Sequence, residues 1–119
     1  MSVIRSRAVN QGRPATWPQA KAIAGQMVEF ARQFEGIRYY EMYVDEDAMR
    51  LVNLAEYVDE AAWRAWIQAN KPLGAELMST VDVAAMEVYG EPSPELEKSI
   101  LSYASATIYS TLGTEPAGF

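Results

Sequence analysis

The sequence predicts an α+β fold, an antiparallel sheet with helices packed on one face. Two observations carry that prediction. One segment reads as strand, acidic turn, strand and helix: Gly36 to Tyr43, then Val44-Asp45-Glu46-Asp47, then Met49 to Tyr57, then Asp59 to Ile67. Before it lies a one-sided helix with Ala20, Ile23, Ala24, Met27, Ala31 and Phe34 at helical spacing. A helix with one apolar face has to cover something, and the strand pair is the surface at hand.

The remaining elements follow in chain order. Val3 to Asn10 alternates weakly and reads as a first strand, broken by Gln11-Gly12-Arg13-Pro14-Ala15. Thr16 is placed to cap the first helix, with Pro18 in its first turn and Gln19 where a capping-box partner sits. Gly36 is read as the helix stop. In the next strand Tyr39, Glu41 and Tyr43 point one way, and Tyr40, Met42 and Val44 the other. In its partner Leu51, Asn53, Ala55 and Tyr57 alternate with Arg50, Val52, Leu54 and Glu56. Both faces carry apolar groups, so both are expected to be covered, one by helices and the other by a second copy of the protein. The register stays open, because the turn spans two to four residues.

Asp59 is a good N-cap for a helix over Ala61 to Asn70, which Pro72 stops. Leu73 to Met78 reads as a further short helix. Val83 to Tyr89 is a strand closed by Gly90. Ser93-Pro94 opens a helix to about Tyr103, and Thr107 to Ser110 is a short last strand. The β-α-β-β-α-β order is the ferredoxin-like arrangement, expected as one domain over residues 1–119.

Composition narrows the function. Half of the 119 residues are apolar, enough for a real core. A net charge of −6 and the lack of a basic cluster argue against nucleic acid, because phosphate neutralisation needs grouped lysine and arginine. No apolar run approaches the roughly 20 residues of a membrane helix, and no signal-peptide pattern is read at the start. The chain has no histidine and no cysteine, which removes disulfides and the commonest catalytic and metal-binding side chains. The expectation is a soluble cytoplasmic protein with no metal and no cofactor.

The residues also carry a family pattern. Phe34-Glu35-Gly36-Ile37-Arg38-Tyr39-Tyr40-Glu41-Met42-Tyr43-Val44-Asp45-Glu46-Asp47 resembles the "PG-x-x-x-Y-E-x-Y-x-D-E-D" pattern of antibiotic biosynthesis monooxygenase domains, in particular the quinol monooxygenase set. Tyr57-Val58-Asp59-Glu60-Ala61-Ala62 resembles that set's approach to its second helix. So do Glu87 to Leu96, Ala106-Thr107-Ile108-Tyr109 and Gly118-Phe119 in the tail. The resemblance implies a homodimer in which two sheets meet as a dimeric α+β barrel, with a ligand pocket between each sheet and its own helices. Active members oxygenate electron-rich phenols or quinols without metal or flavin, and the substrate anion itself reacts with oxygen. Other members degrade haem.

One departure matters. Against the set's "A-x-x-A-H", Ala62-Trp63-Arg64-Ala65-Trp66 holds Trp66 in the histidine's place. Histidine takes a proton near neutral pH; an indole nitrogen only donates. Glu41, Glu56 and Glu87 are the candidate substitutes, and their plain alternative is pairing with Arg38 or Arg50 at the surface. The expected ligand-binding residues are Asn53, Trp63, Trp66, Tyr40 and Met27, with Phe30, Phe34 and Met42 beside them. Asn53 sits mid-strand, where a buried amide needs a partner: a ligand oxygen, or a satisfied core contact. Asp45-Glu46-Asp47 lacks the glycine and distant glutamate of a calcium loop and reads as a solvated turn. Three readings stand together: a cofactor-free oxygenase acting on an aromatic compound, a binding module that kept the pocket and lost the base, and a structural dimer whose pocket is filled by side chains.

Overall fold

Among the described residues, five strands and four helices run in the order β1 (Ile4–Gly12), α1 (Trp17–Ala31), β2 (Ile37–Asp45), β3 (Arg50–Tyr57), α2 (Glu60–Ala69), α3 (Lys71–Met78), β4 (Val81–Tyr89), α4 (Pro94–Ile100) and β5 (Ala106–Tyr109). The structure is a computed structural model describing residues 3–103 and 105–113. The tail match at Gly118-Phe119 lies outside them. The strands form one sheet in the order β2-β3-β1-β4-β5. The four long strands pair antiparallel, as a ferredoxin-like sheet requires. The fifth strand makes the sheet mixed, because β5 runs parallel to β4 from Met86↔Ala106 to Tyr89↔Tyr109. Parallel neighbours need a crossover, and α4 supplies it.

Register decides which side chains meet the helices. Ile4, Ser6, Ala8 and Asn10 of β1 lie opposite Tyr57, Ala55, Asn53 and Leu51 of β3. Tyr40 and Met42 of β2 continue these rows opposite Ala55 and Asn53. Two irregularities enrich this face. The β1–β4 register slips between Val9 and Asn10, so Val83 and Met86 both face the helices. The β2–β3 register slips between Ile37 and Tyr39, so Ile37 and Tyr40 share the same side.

The helices cover this face with two apolar clusters. One gathers Ile4, Tyr57, Trp63, Trp66, Val88, Leu96 and Ile100; the other gathers Trp17, Ile23, Met27, Leu51, Leu77 and Val81. Asp59 caps α2 as expected, accepting from the Ala62 amide at 2.8 Å. Ser93 likewise caps α4, which ends at Ile100 and not near Tyr103. α2 ends at Ala69, just before Pro72, which lies in the first turn of α3, where its missing N–H costs nothing.

Two sequence expectations at α1 are corrected. Its capping box is not formed: no side-chain hydrogen bond caps the helix, and the Thr16 hydroxyl donates to the Thr80 carbonyl at 2.8 Å instead. Nor does Gly36 end the helix. α1 stops at Ala31 with Arg32 as its C-cap, so Phe34 lies beyond it. The role of Gly36 is proximity, because a Cβ there would fall 2.5 Å from the Ala62 Cβ.

Gly90 has a conformational role. Its φ is +137°, and a Cβ would lie 2.9 Å from the Val3 carbonyl oxygen. Gly90→Ala is expected to lose about 1–3 kcal/mol of stability, measured as a lower urea midpoint with an unchanged m-value.

Candidate functional site

The two apolar clusters do not close on each other. Between them lies a cavity of about 500 Å³, bounded by the sheet and by α1, α2 and α3. Its floor is Ser6, Ala8 and Asn10 of β1 with Asn53 of β3. These are short or polar side chains, and the helices, held apart by their own bulky residues, cannot fill the space above them. The rim carries exposed Ile67, Met78 and Tyr103, with the ammonium of Lys71.

All five expected residues, Asn53, Trp63, Trp66, Tyr40 and Met27, line this cavity, and Met42 joins them. Phe30 and Phe34 do not; they back Trp66. The Trp66 ring meets Phe30 at 5.6 Å, Phe34 at 5.2 Å and Tyr40 at 5.0 Å between centroids. Trp63 stacks on Tyr57 at 5.3 Å with 7° between planes. Both indoles are therefore core and wall together, pinned on one side and facing the cavity on the other.

Apart from Lys71 at the rim, the polar lining is neutral. Burial pushes the Tyr40 phenol well above its ordinary value, and burial does the same to Tyr57. Neither ionises near neutral pH. The Nδ2 of Asn53 donates to the Glu41 carbonyl at 3.1 Å, and the Nδ2 of Asn10 to the Leu51 carbonyl at 3.4 Å.

None of the three carboxylates considered as bases lines the cavity. Their positions alternate onto the opposite sheet face. Glu56 accepts from Arg5 at 2.6 Å and Arg38 at 3.3 Å. Glu87 accepts from Arg7 and from the Tyr89 hydroxyl, and burial together with that carboxylate pushes the Tyr89 phenol up to about 12. Glu41 is exposed beside Tyr43. The expected Arg38 pairing is present, whereas Arg50 donates to the Gln11 side chain. The acidic turn is used locally: Asp45 accepts from the Ala48 amide, and Glu46 from Lys21 and the Trp17 indole. Among the described residues no group of three His, Cys, Asp or Glu side chains is placed to hold a metal ion.

Sequence reading missed part of the site. It placed the pocket under the first two long helices, yet α3 contributes Gly74, Ala75, Leu77 and Met78. It also missed Ser6, Asn10 and Asn70. A signal was present: Ser6, Ala8 and Asn10 alternate as small residues along what is the central strand.

Comparison places this geometry among known folds. No family model matches the chain, and no curated protein matches it. Solved structures do. MupZ from Pseudomonas fluorescens superposes with a TM-score of 0.79 at 14% identity, covering 98% of this chain and 95% of that one. A conserved protein from Methanosarcina mazei Go1 gives 0.64 at 25% identity, covering 74% and 89%. A structure described as an antibiotic biosynthesis monooxygenase gives 0.62 at 18% identity, covering 71% and 92%. The chain has the ferredoxin-like α+β fold of these proteins, as its sequence resemblance implied.

The wall helix α2 is tied down by Glu60, whose carboxylate accepts from the Ser93 amide and hydroxyl, both at 2.7 Å. Those bonds, with Arg64, hold the Glu60 carboxyl below its ordinary value of 4.5. A depressed carboxylate contributes stability that is fully present above that pH and lost as pH falls through its folded value. Glu60→Gln should therefore lower the urea midpoint near pH 7, with a deficit that narrows as the pH falls below 4.5.

Proposed function

We propose that the protein binds a small neutral aromatic molecule, of the phenol or quinol class, in the cavity between its sheet and helices. One observation carries the reading: a cavity of about 500 Å³ whose walls are indole, phenol and thioether and whose polar groups are mostly amides, with the Lys71 ammonium at the rim. That size suits a ligand of a few fused rings. Trp63 and Trp66 offer flat apolar surface, Met27 adapts to its outline, and Tyr40 and Asn53 offer hydrogen bonds that orient it. The third reading, a pocket filled by side chains, does not fit a cavity of this volume.

Cofactor-free oxygenation is the second reading, supported by the structural neighbour described as an antibiotic biosynthesis monooxygenase. Trp66 and the neutral wall weigh against it, because no lining side chain takes a proton from a phenol near neutral pH. The ligand would have to arrive already ionised. The test is a titration of the full chain with 1-naphthol and hydroquinones, following tryptophan fluorescence, then oxygen-electrode measurements on every ligand that binds. Saturable quenching without oxygen uptake is expected. Uptake above the quinol's own autoxidation would establish the second reading, and a rise in uptake on Trp66→His would assign the base to that position.

The same reading includes a homodimer joined through the outer sheet face, which completes the dimeric barrel. Support comes from Val9, Val52 and Leu54, which lie with Tyr39 and Tyr43 on the face turned away from the helices. Their mixture with the Arg5–Glu56 and Arg7–Glu87 pairs gives both signs of charge to a facing copy. Light scattering at micromolar concentration should return twice the mass of the chain; a stable monomer would remove the dimer from the reading.

A further inference from the structure

The junction of α2 and α3 fixes the direction of one buried amide. Asn70 ends α2 and stands at the N-cap of α3. Backbone bonds hold it from both helices: its N–H donates to the Trp66 carbonyl, and its carbonyl accepts from the Gly74 amide, each at 2.8 Å. Asn70 is 8% exposed and lines the cavity. Its Oδ1 is sealed and has no hydrogen-bond partner among the described residues. Turning the amide over would seal two N–H donors there in place of one acceptor, so the orientation seen leaves fewer polar bonds unmade. The N–H end is the end left to the cavity.

Gly74 lies one turn further on, inside α3, where only proline is a weaker choice. A Cβ built on Gly74 meets nothing within 4 Å except the Asn70 Nδ2, at an ordinary 3.7 Å. Nδ2 thus borders the space that the missing side chain leaves, on the cavity wall that both residues share. Alanine would fit there without a clash, so packing does not require the glycine. What the glycine leaves uncovered is an amide donor.

The neighbouring groups set the polarity of this end. Asn10 and Asn53 already give an N–H to the Leu51 and Glu41 carbonyls, whereas the Asn70 side chain caps neither helix it joins. Lys71, the next residue, brings ammonium donors to the rim, and among the described residues no carboxylate lines the cavity. Donors and one positive charge complement a ligand oxygen that has lone pairs and no proton of its own.

We propose that Asn70 and Gly74 form a subsite for a carbonyl oxygen carried by the ligand's ring system, with the Asn70 Nδ2 as donor and Gly74 leaving the room in which the oxygen sits. The inference rests on the cavity being an aromatic-ligand site, and it narrows the ligand to ring systems that bear a ketone. The amide needs no movement. The oxygen takes the place beside Nδ2 that an alanine methyl would otherwise occupy.

The test titrates the full chain with 1-acetylnaphthalene and with 1-isopropenylnaphthalene, which has a CH2 in place of the ketone oxygen, following tryptophan fluorescence. The quantity read is the affinity of the ketone relative to the alkene. Asn70→Leu should cut that ratio about fivefold by weakening the ketone, while the alkene stays within about twofold. Gly74→Ala should raise the thermal midpoint through its better helix propensity and yet cut the ratio in the same direction, because its methyl covers Nδ2. A ratio unchanged in either variant, with both compounds bound, overturns the subsite and leaves the aromatic site standing. Binding of neither compound by the wild type overturns both. Should Asn70→Leu not fold, Gly74→Ala decides alone.

Discussion

The site depends on the size of three side chains on the central strand. Ser6, Ala8 and Asn10 face the helices from β1, with Asn53 beside them on β3. On either side the same sheet face carries large groups: Ile4, Tyr57 and Val88 at one end, Leu51 and Val81 at the other. The helices are propped on those ends. A close-packed interior would close over the middle if the middle were large; short side chains under a propped roof leave a cavity. Enlarging Ala8 or Ser6 would fill it and remove the site without changing the fold class.

The roof is rigid for reasons that are also local. The rings of Phe30, Phe34, Tyr40 and Trp66 lock edge to face, while Trp63 lies flat on Tyr57. Such pairs add about 0.5–1.5 kcal/mol each beyond their buried area. α2, which carries both tryptophans, is capped by Asp59 and tied to the start of α4 by Glu60. Gly36 lets the α1–β2 connection come close to Ala62 on the same helix. The wall is thus held by contacts within the chain itself.

Charge is sorted by sheet face, and that sorting governs the chemistry. Strand alternation sends Glu41, Glu56 and Glu87 outward, where arginines of β1 and β2 meet two of them. Amides and phenols are sent inward. Burial then keeps Tyr40 and Tyr57 protonated, so the inner face offers hydrogen bonds and aromatic surface but no proton acceptor tuned to neutral pH.

The sequence by itself determined the elements and their order, because those follow from local rules. Period-2 and period-3.6 patterns marked the strands and helices, Asp59 and Ser93 marked two helix starts, and the Tyr39 to Asp47 pattern pointed to the ferredoxin-like fold. It also named five side chains that line the cavity: spacing puts Trp63 and Trp66 near one helix face, and the family resemblance implied a pocket between that helix and the sheet. What it could not decide were contacts set by residues distant along the chain. The slips at Val9/Asn10 and Ile37/Tyr39 arise from strand pairing, so the alternation within one strand does not contain them. Thr16 bonds Thr80 instead of its own helix, and Gly36 answers to Ala62, both through tertiary neighbours. Asn70 read as the polar end of a helix. Only the approach of α3 to the sheet makes it a buried amide on a cavity wall, because burial belongs to the assembled structure and not to any one segment.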